Sequence, residues 1–175
     1  MFKKKIKYLI FFLILLNPCL IHANDKIFYI DIDLILNNSL AGKSITSQLK
    51  KINKLNIDIF KKEKENLKSE ETTILAQKNI LDENEYKKKI ILFRKKISGL
   101  NEEKKNSMND FNKKRIKAQS LLINSLTPII ADYAEKNKTA IIIDKKNVIV
   151  GKTDLDITQI ILKTLDNKIK NIKIK

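Results

Sequence analysis

Residues 41–127 carry a thin, regularly spaced apolar stripe through otherwise polar sequence, and the stretches on either side are dense in β-branched residues. In the first half of this middle segment Ile45, Ile52 and Ile59 recur every seven residues. The phase then slips by one, and Phe60, Leu67, Ile74 and Leu81 continue the repeat. In the second half Ile90, Phe93, Ile97 and Leu100 follow four-three spacing, which resumes near Phe111, Ala118 and Leu122. So narrow a seam is the pattern of a coiled coil and not of a globular core face. The segment holds no proline, and Gly42 and Gly99 are its only glycines, so two long antiparallel helices are predicted. Asp82 with Glu85 has capping-box spacing, which places the reversal near residues 79–84. Arms of about 40 residues would reach about 60 Å.

The flanks, 24–40 and 128–175, read as one small α/β body, a β-rich association body closed by a C-terminal helix. Lys26, Ile27, Phe28, Tyr29, Ile30 and Asp31 form a β-branched and aromatic run, a strand. Thr139, Ala140, Ile141, Ile142 and Ile143 form a second, apolar enough to be covered on both faces. Asp144, Lys145, Lys146 and Asn147 have turn chemistry, and with Val148, Ile149 and Val150 they predict a hairpin. Asp156, with Gln159 three residues on, reads as the cap of a last helix. Along that helix Ile157, Ile160, Ile161 and Leu165 make one apolar face. The alternation of Lys and Ile beyond Asp166 reads as a frayed end. The fold class expected is therefore α+β: a small β-rich body with a long antiparallel helical hairpin.

Composition sharpens the division. Apolar residues make up 29 of 87 positions in 41–127 but 30 of 65 in the flanks, so the flanks can bury a core and the middle only a seam. A body of about 65 residues is marginal without staples, and association with further copies is the physical remedy.

The first 23 residues stand apart. Lys3, Lys4, Lys5 and Lys7 precede the apolar run 8–16, Asn17 and Pro18 break it, and Ala23 ends the segment. That run is too short to span a bilayer and has the organisation of a cleavable export signal. Asn17 and Pro18 before Cys19 argue against a lipid-modified cysteine. Cleavage near Ala23 would remove the only Cys and the only His and leave 152 residues with a net charge of +12. Ser-His and Cys-His nucleophilic relays and thiolate or imidazole zinc sites are then excluded. No catalytic residue, cofactor or metal site is expected, and the chain does not read as an enzyme.

The order of several short motifs adds to this. The opening strand followed by Asn37, Asn38, Ser39, Leu40, Ala41, Gly42 and Lys43 resembles the start of the Skp/OmpH family of periplasmic chaperones. The run Leu126, Thr127, Pro128, Ile129, Ile130, then Ala140 to Asp144, then Asp154, Leu155, Asp156, Ile157 and Thr158 resembles its ending. The resemblance covers the chain beyond the signal, while the arms are similar only in composition. It implies a jellyfish-shaped homotrimer in the periplasm, whose helical tentacles enclose unfolded outer-membrane proteins.

The charge fits that expectation. Residues 41–127 hold 21 basic and 11 acidic residues, a net +10, and a positive cage attracts acidic clients in a salt-dependent way. An ATP-independent holdase needs many weak contacts, which lysines mixed with scattered apolar residues supply. The arm residues expected to meet a client are Leu67, Ile74, Lys78, Lys87, Lys88, Lys89, Phe93 and Arg94. Phe60, Phe93 and Phe111 also fall at seam spacing, which favours packing within the hairpin.

Bland readings stand beside these. Gly42, Lys43 and Ser44 lack the earlier glycine of a phosphate-binding loop, since position 37 is Asn. Asp31 with Asp33, and Asp154 with Asp156, suit turns and caps better than a calcium loop. No nucleic-acid partner is expected: the exported chain has seven aromatics and two Arg, and export separates it from nucleic acid. A structural coiled-coil protein of the envelope, or a binder of anionic lipid, is the alternative. Contact with anionic lipid or lipopolysaccharide is also compatible with chaperoning.

Overall fold

The computed structural model describes residues 26–174; the expected export signal, the expected cleavage near Ala23 and Cys19 lie outside them. Strand β1 (Lys26–Ile30) leads into a short helix, α1 (Ile32–Asn38), and then into the long helix α2 (Leu40–Ala76). The chain reverses and returns as α3 (Glu83–Lys136), continues into strand β2 (Thr139–Asp144), and ends in α4 (Thr158–Lys168) after two 3₁₀ turns. This is an α+β protein with a long helical hairpin and a small strand pair.

The two strands are parallel, with Phe28 opposite Ile142 and Tyr29 opposite Ile143. Parallel neighbours need a long crossover, and here the crossover is the entire hairpin. On the far edge of β1, Tyr29 makes an isolated parallel bridge with Asp156, and the Ile157 N–H donates to the Tyr29 carbonyl at 3.0 Å. The expected hairpin strand at 148–150 does not form. The Asp144 carboxylate accepts from the Lys146 N–H, a 3₁₀ turn (Lys145–Asn147) carries the chain away from β2, and Ile149 and Val150 stand fully and 90% exposed.

Helix α1 follows directly from two caps. Asp31 accepts from the Leu34 N–H at 2.8 Å, and the wholly buried Ser39 accepts from the Gly42 N–H at 3.0 Å. Both side chains satisfy helix N-terminal donors that would otherwise be orphaned. Gly42 is required by contact: a Cβ there would lie 1.8 Å from the Leu36 carbonyl oxygen.

The core gathers Phe28 and Ile30 from β1, Ile35 from α1, and Ile157, Ile161 and Leu165 from the α4 region. It continues into the roots of both long helices through Ala41, Ile45, Ala118, Leu122, Leu126 and Ile129. Phe28 meets Tyr133 edge to face at 5.7 Å between ring centroids, a geometry favoured by the ring quadrupoles. Pro128 lies inside α3, where it removes one link of the i→i−4 ladder close to the point at which the helix joins the core.

The segment after α4 is docked, not frayed. Ile169, Ile172 and Ile174 pack against the core, and Gln48 of α2 bonds to the backbone of residues 172 and 174.

Candidate functional site

The surface with most potential for binding is the helical hairpin. Its seam contains Ile74 and Phe93, buried, with Phe60, Leu67, Leu81, Ile90, Leu100 and Phe111 half-buried. Ile59 faces out at 56% exposure, so the change of phase comes before it, and Ile52 passes the seam to Phe60. Asp82 caps α3 by accepting from the Asn84 and Glu85 N–H groups at 2.7 and 3.1 Å. Lys96 pairs with Glu70 across the arms at 2.6 Å, and Lys89 donates to Gln77 Oε1 at 2.6 Å.

The expected client-contact residues divide between surface and seam. Lys78, Lys87, Lys88 and Arg94 are exposed, and Lys87 pairs only with Glu83 one turn away. Leu67 lines an open groove of about 680 Å³ between the arms, together with Phe60, Lys64, Phe93, Ile97, Leu100 and Lys104. Ile74 and Phe93 are directed into the seam because each is at the spacing that faces the opposite helix, so in this closed hairpin neither offers its full side chain to a partner. Apolar surface near the turn comes instead from Leu75, Ile80, Ile91 and Leu92, all more than half exposed. Sequence periodicity could have found them, since they are the apolar residues off the seam.

Further toward the body, Leu55, Ile57, Met108 and Ile116 are also more than half exposed. Ile57 and Met108 border an open groove of about 340 Å³ with Phe60 and Phe111, and Leu55 and Ile116 lie outside it. Among the described residues no cluster of His, Cys, Asp and Glu is suited to a metal ion, and no helix is long and apolar enough to cross a membrane.

The body has one dense polar cluster. Asp156 accepts from Lys145 at 2.9 Å and from the Thr158 N–H at 3.0 Å, and it is also bonded to the Thr158 hydroxyl. The Thr158 Oγ1 in turn accepts from the Asp31 N–H at 2.9 Å. Burial pushes the Asp156 carboxyl up, but the bonds from Thr158 and Lys145 outweigh it and hold the group below its ordinary range. The expected capping box with Gln159 is replaced by this Asp156–Thr158 arrangement, which ties the start of α4 to the end of β1. Its groups are mutually satisfied, the mark of a structural clasp.

A small strand pair from which a long helical hairpin projects, with basic and scattered apolar side chains on the hairpin's outside, defines a class of α+β proteins built around an arm. The family model for outer membrane protein (OmpH-like) matches residues 26–165, and the chain belongs to that family. Its fold is similar to the crystal structure of an OmpH-like protein of Caulobacter crescentus CB15, proposed to be an outer membrane chaperone. That match has a TM-score of 0.81 at 19% identity and covers 85% of this chain and 88% of the other. No curated protein matches the chain.

Proposed function

We propose that the protein is an ATP-independent periplasmic holdase that keeps unfolded outer-membrane β-barrel proteins from aggregating between the arms of a homotrimer. The observation that carries this reading is the hairpin's surface, where exposed apolar side chains are interspersed with lysines and the grooves between the arms are open. Unfolded barrel strands alternate apolar and polar residues and aggregate through exposed edges. Many weak, dispersed contacts hold such chains and still release them.

In this reading residues 24–40 and 128–175 act as the associating body and 41–127 as the arm. Leu67, Lys78, Lys87, Lys88 and Arg94 meet the client directly, while Ile74, Lys89 and Phe93 do so when the arms part. Association through the body is supported by its exposed apolar side chains, Ile27, Ile141, Ile149 and Val150. An isolated two-stranded sheet is marginal in water, which supports it further. The resemblance of the end motifs and the kinship with the OmpH-like protein of Caulobacter crescentus support the chaperone role.

The test is dilution of a denatured outer-membrane barrel protein with and without the purified chain, followed by light scattering. Suppression at one trimer per client is expected. Unchanged scattering at that ratio would end the holdase reading.

A further inference from the structure

After α4 the chain bends at Lys170, and residues 171–174 cross the root of α2, where the Gln48 side chain bonds their backbone twice. Gln48 Nε2 donates to the Ile172 carbonyl at 2.7 Å, and Gln48 Oε1 accepts from the Ile174 N–H at 3.0 Å. These are the two bonds that a residue in a parallel strand makes to its neighbour: its N–H to the carbonyl of one partner residue, its C=O to the N–H two residues on. The Gln48 amide stands in for a peptide unit and reads backbone, which every sequence offers. Gln48 is itself held by Ser44, whose Oγ accepts from Nε2 at 3.1 Å and donates to Asn171 Oδ1 at 2.6 Å. Leu49, Ile172 and Ile174 are each half-buried against the core, while Lys173 is exposed.

What occupies this place is a short segment in which Ile172 and Ile174 pack inward and Lys173 between them is exposed. That alternation is also the pattern of an outer-membrane barrel strand. We propose that the root of α2 around Ser44, Gln48 and Leu49 is a strand-reading site, whose ligand is an extended client segment of alternating apolar and polar residues. Residues 169–174 fill it in cis until a client strand displaces them. The inference rests on the holdase reading for the identity of the client. It differs from that reading in kind, because the contact is backbone-directed, lies at the base of the arms and is regulated by the chain's own tail. A cis segment that fills the site nine-tenths of the time weakens apparent affinity about tenfold, so release of the tail is the expected trigger for tight binding.

Two variants that both loosen the tail separate this from a purely structural strap. Ile172→Asp with Ile174→Asp frees the tail and keeps the reader, whereas Gln48→Ala frees the tail and removes the reader. The probes are a fluorescent peptide of residues 168–175 and a barrel-strand peptide of about ten alternating residues, read by anisotropy, with circular dichroism to confirm that each variant is folded. The double variant is expected to bind both peptides about tenfold more tightly than the parent, and the Gln48→Ala variant no more tightly than the parent. Should the double variant not fold, a Ser44→Ala variant, which removes the hydroxyl that holds Gln48 and leaves the tail sequence intact, is expected to lose competition by the barrel-strand peptide. Equal binding by parent and double variant, or tail-peptide binding that the barrel-strand peptide fails to displace, overturns the proposal. Suppression of aggregation by the parent is scored separately. If it persists while the peptides fail, the strand-reading site falls and the holdase reading stands. If it fails while the tail peptide still binds and exchanges, the reverse holds.

Discussion

Gly42 and Asp156 each decide a local geometry that their neighbours cannot supply. The Gly42 N–H is engaged by Ser39 and its missing side chain makes room for the Leu36 carbonyl, so the run Gly42, Lys43, Ser44 is a tight helix junction with no free amide for a phosphate. Gly42→Ala sets a methyl against backbone that cannot swing aside. A loss near the upper end of the roughly 1–3 kcal/mol typical of overpacking is expected in denaturant unfolding, and an unchanged midpoint would contradict the contact. Asp156 makes a pH-dependent contribution. Its folded carboxyl is more acidic than its ordinary value of 3.8, so its stabilisation is complete above about pH 5 and is lost as the pH falls through the lower folded value. Asp156→Asn should lower the melting temperature at neutral pH, with the two melting curves converging as acidification passes through the lowered folded value. A constant gap across that range would mean that the ion pair and cap do not carry the difference.

The hairpin's stability lies in its seam, and most of its exposed apolar and basic side chains lie outside it. Seam residues are few and widely spaced, so each matters more than its size suggests. Phe93→Ala removes the largest buried side chain near the arm's far end, and a cost of about 3 kcal/mol is typical for that change in a well-packed core. Here the expected effect is local: faster amide exchange in residues 60–76 and 86–100, with the exchange of β1 and α4 unchanged, because the arms pack on each other and the body on its own core. Uniform acceleration through the molecule would refute a seam that opens independently. Heptad spacing made this seam legible in the sequence, and Asp82 was legible as a cap because its carboxylate needs only neighbouring N–H groups. The helix Ile32–Asn38 was not legible: seven residues give too few turns for periodicity, and its apolar content looks like strand.

In the proposed homotrimer, charge and association would be coupled. The arm's excess of lysine would repel itself in an assembly that faces three arms inward, and salt would relieve that repulsion while weakening attraction to an acidic client. Raising ionic strength from about 0.05 to 0.5 M shortens the screening length from about 14 Å to about 4 Å. Client capture is therefore expected to slow several-fold in stopped-flow mixing while the oligomer mass, by light scattering, holds. Capture that is insensitive to salt would show that apolar contacts alone recruit the client. Ile149→Lys with Val150→Lys, placed where the body is most exposed, is expected to dissociate the oligomer; a mass unchanged by those two lysines would move the association surface elsewhere.

The primary structure by itself determined which stretches are long helices, which face of each meets the other, and where caps interrupt them, since those follow from residues within a few positions of one another. The strand pairing of β1 with β2, the clasp from Asp156 to Tyr29 and the docking of residues 169–174 on Gln48 are different. They join residues more than a hundred positions apart, through backbone groups that every sequence possesses and, at Gln48, through a side-chain amide that bonds backbone. Turn-forming residues at 144–147 suggested an antiparallel return because that is the nearest partner in sequence, but the folded chain had already brought β1 alongside through the full length of the hairpin. Lysine and isoleucine in alternation promise only a strand-like segment; whether it frays or docks depends on a surface assembled from elsewhere in the chain.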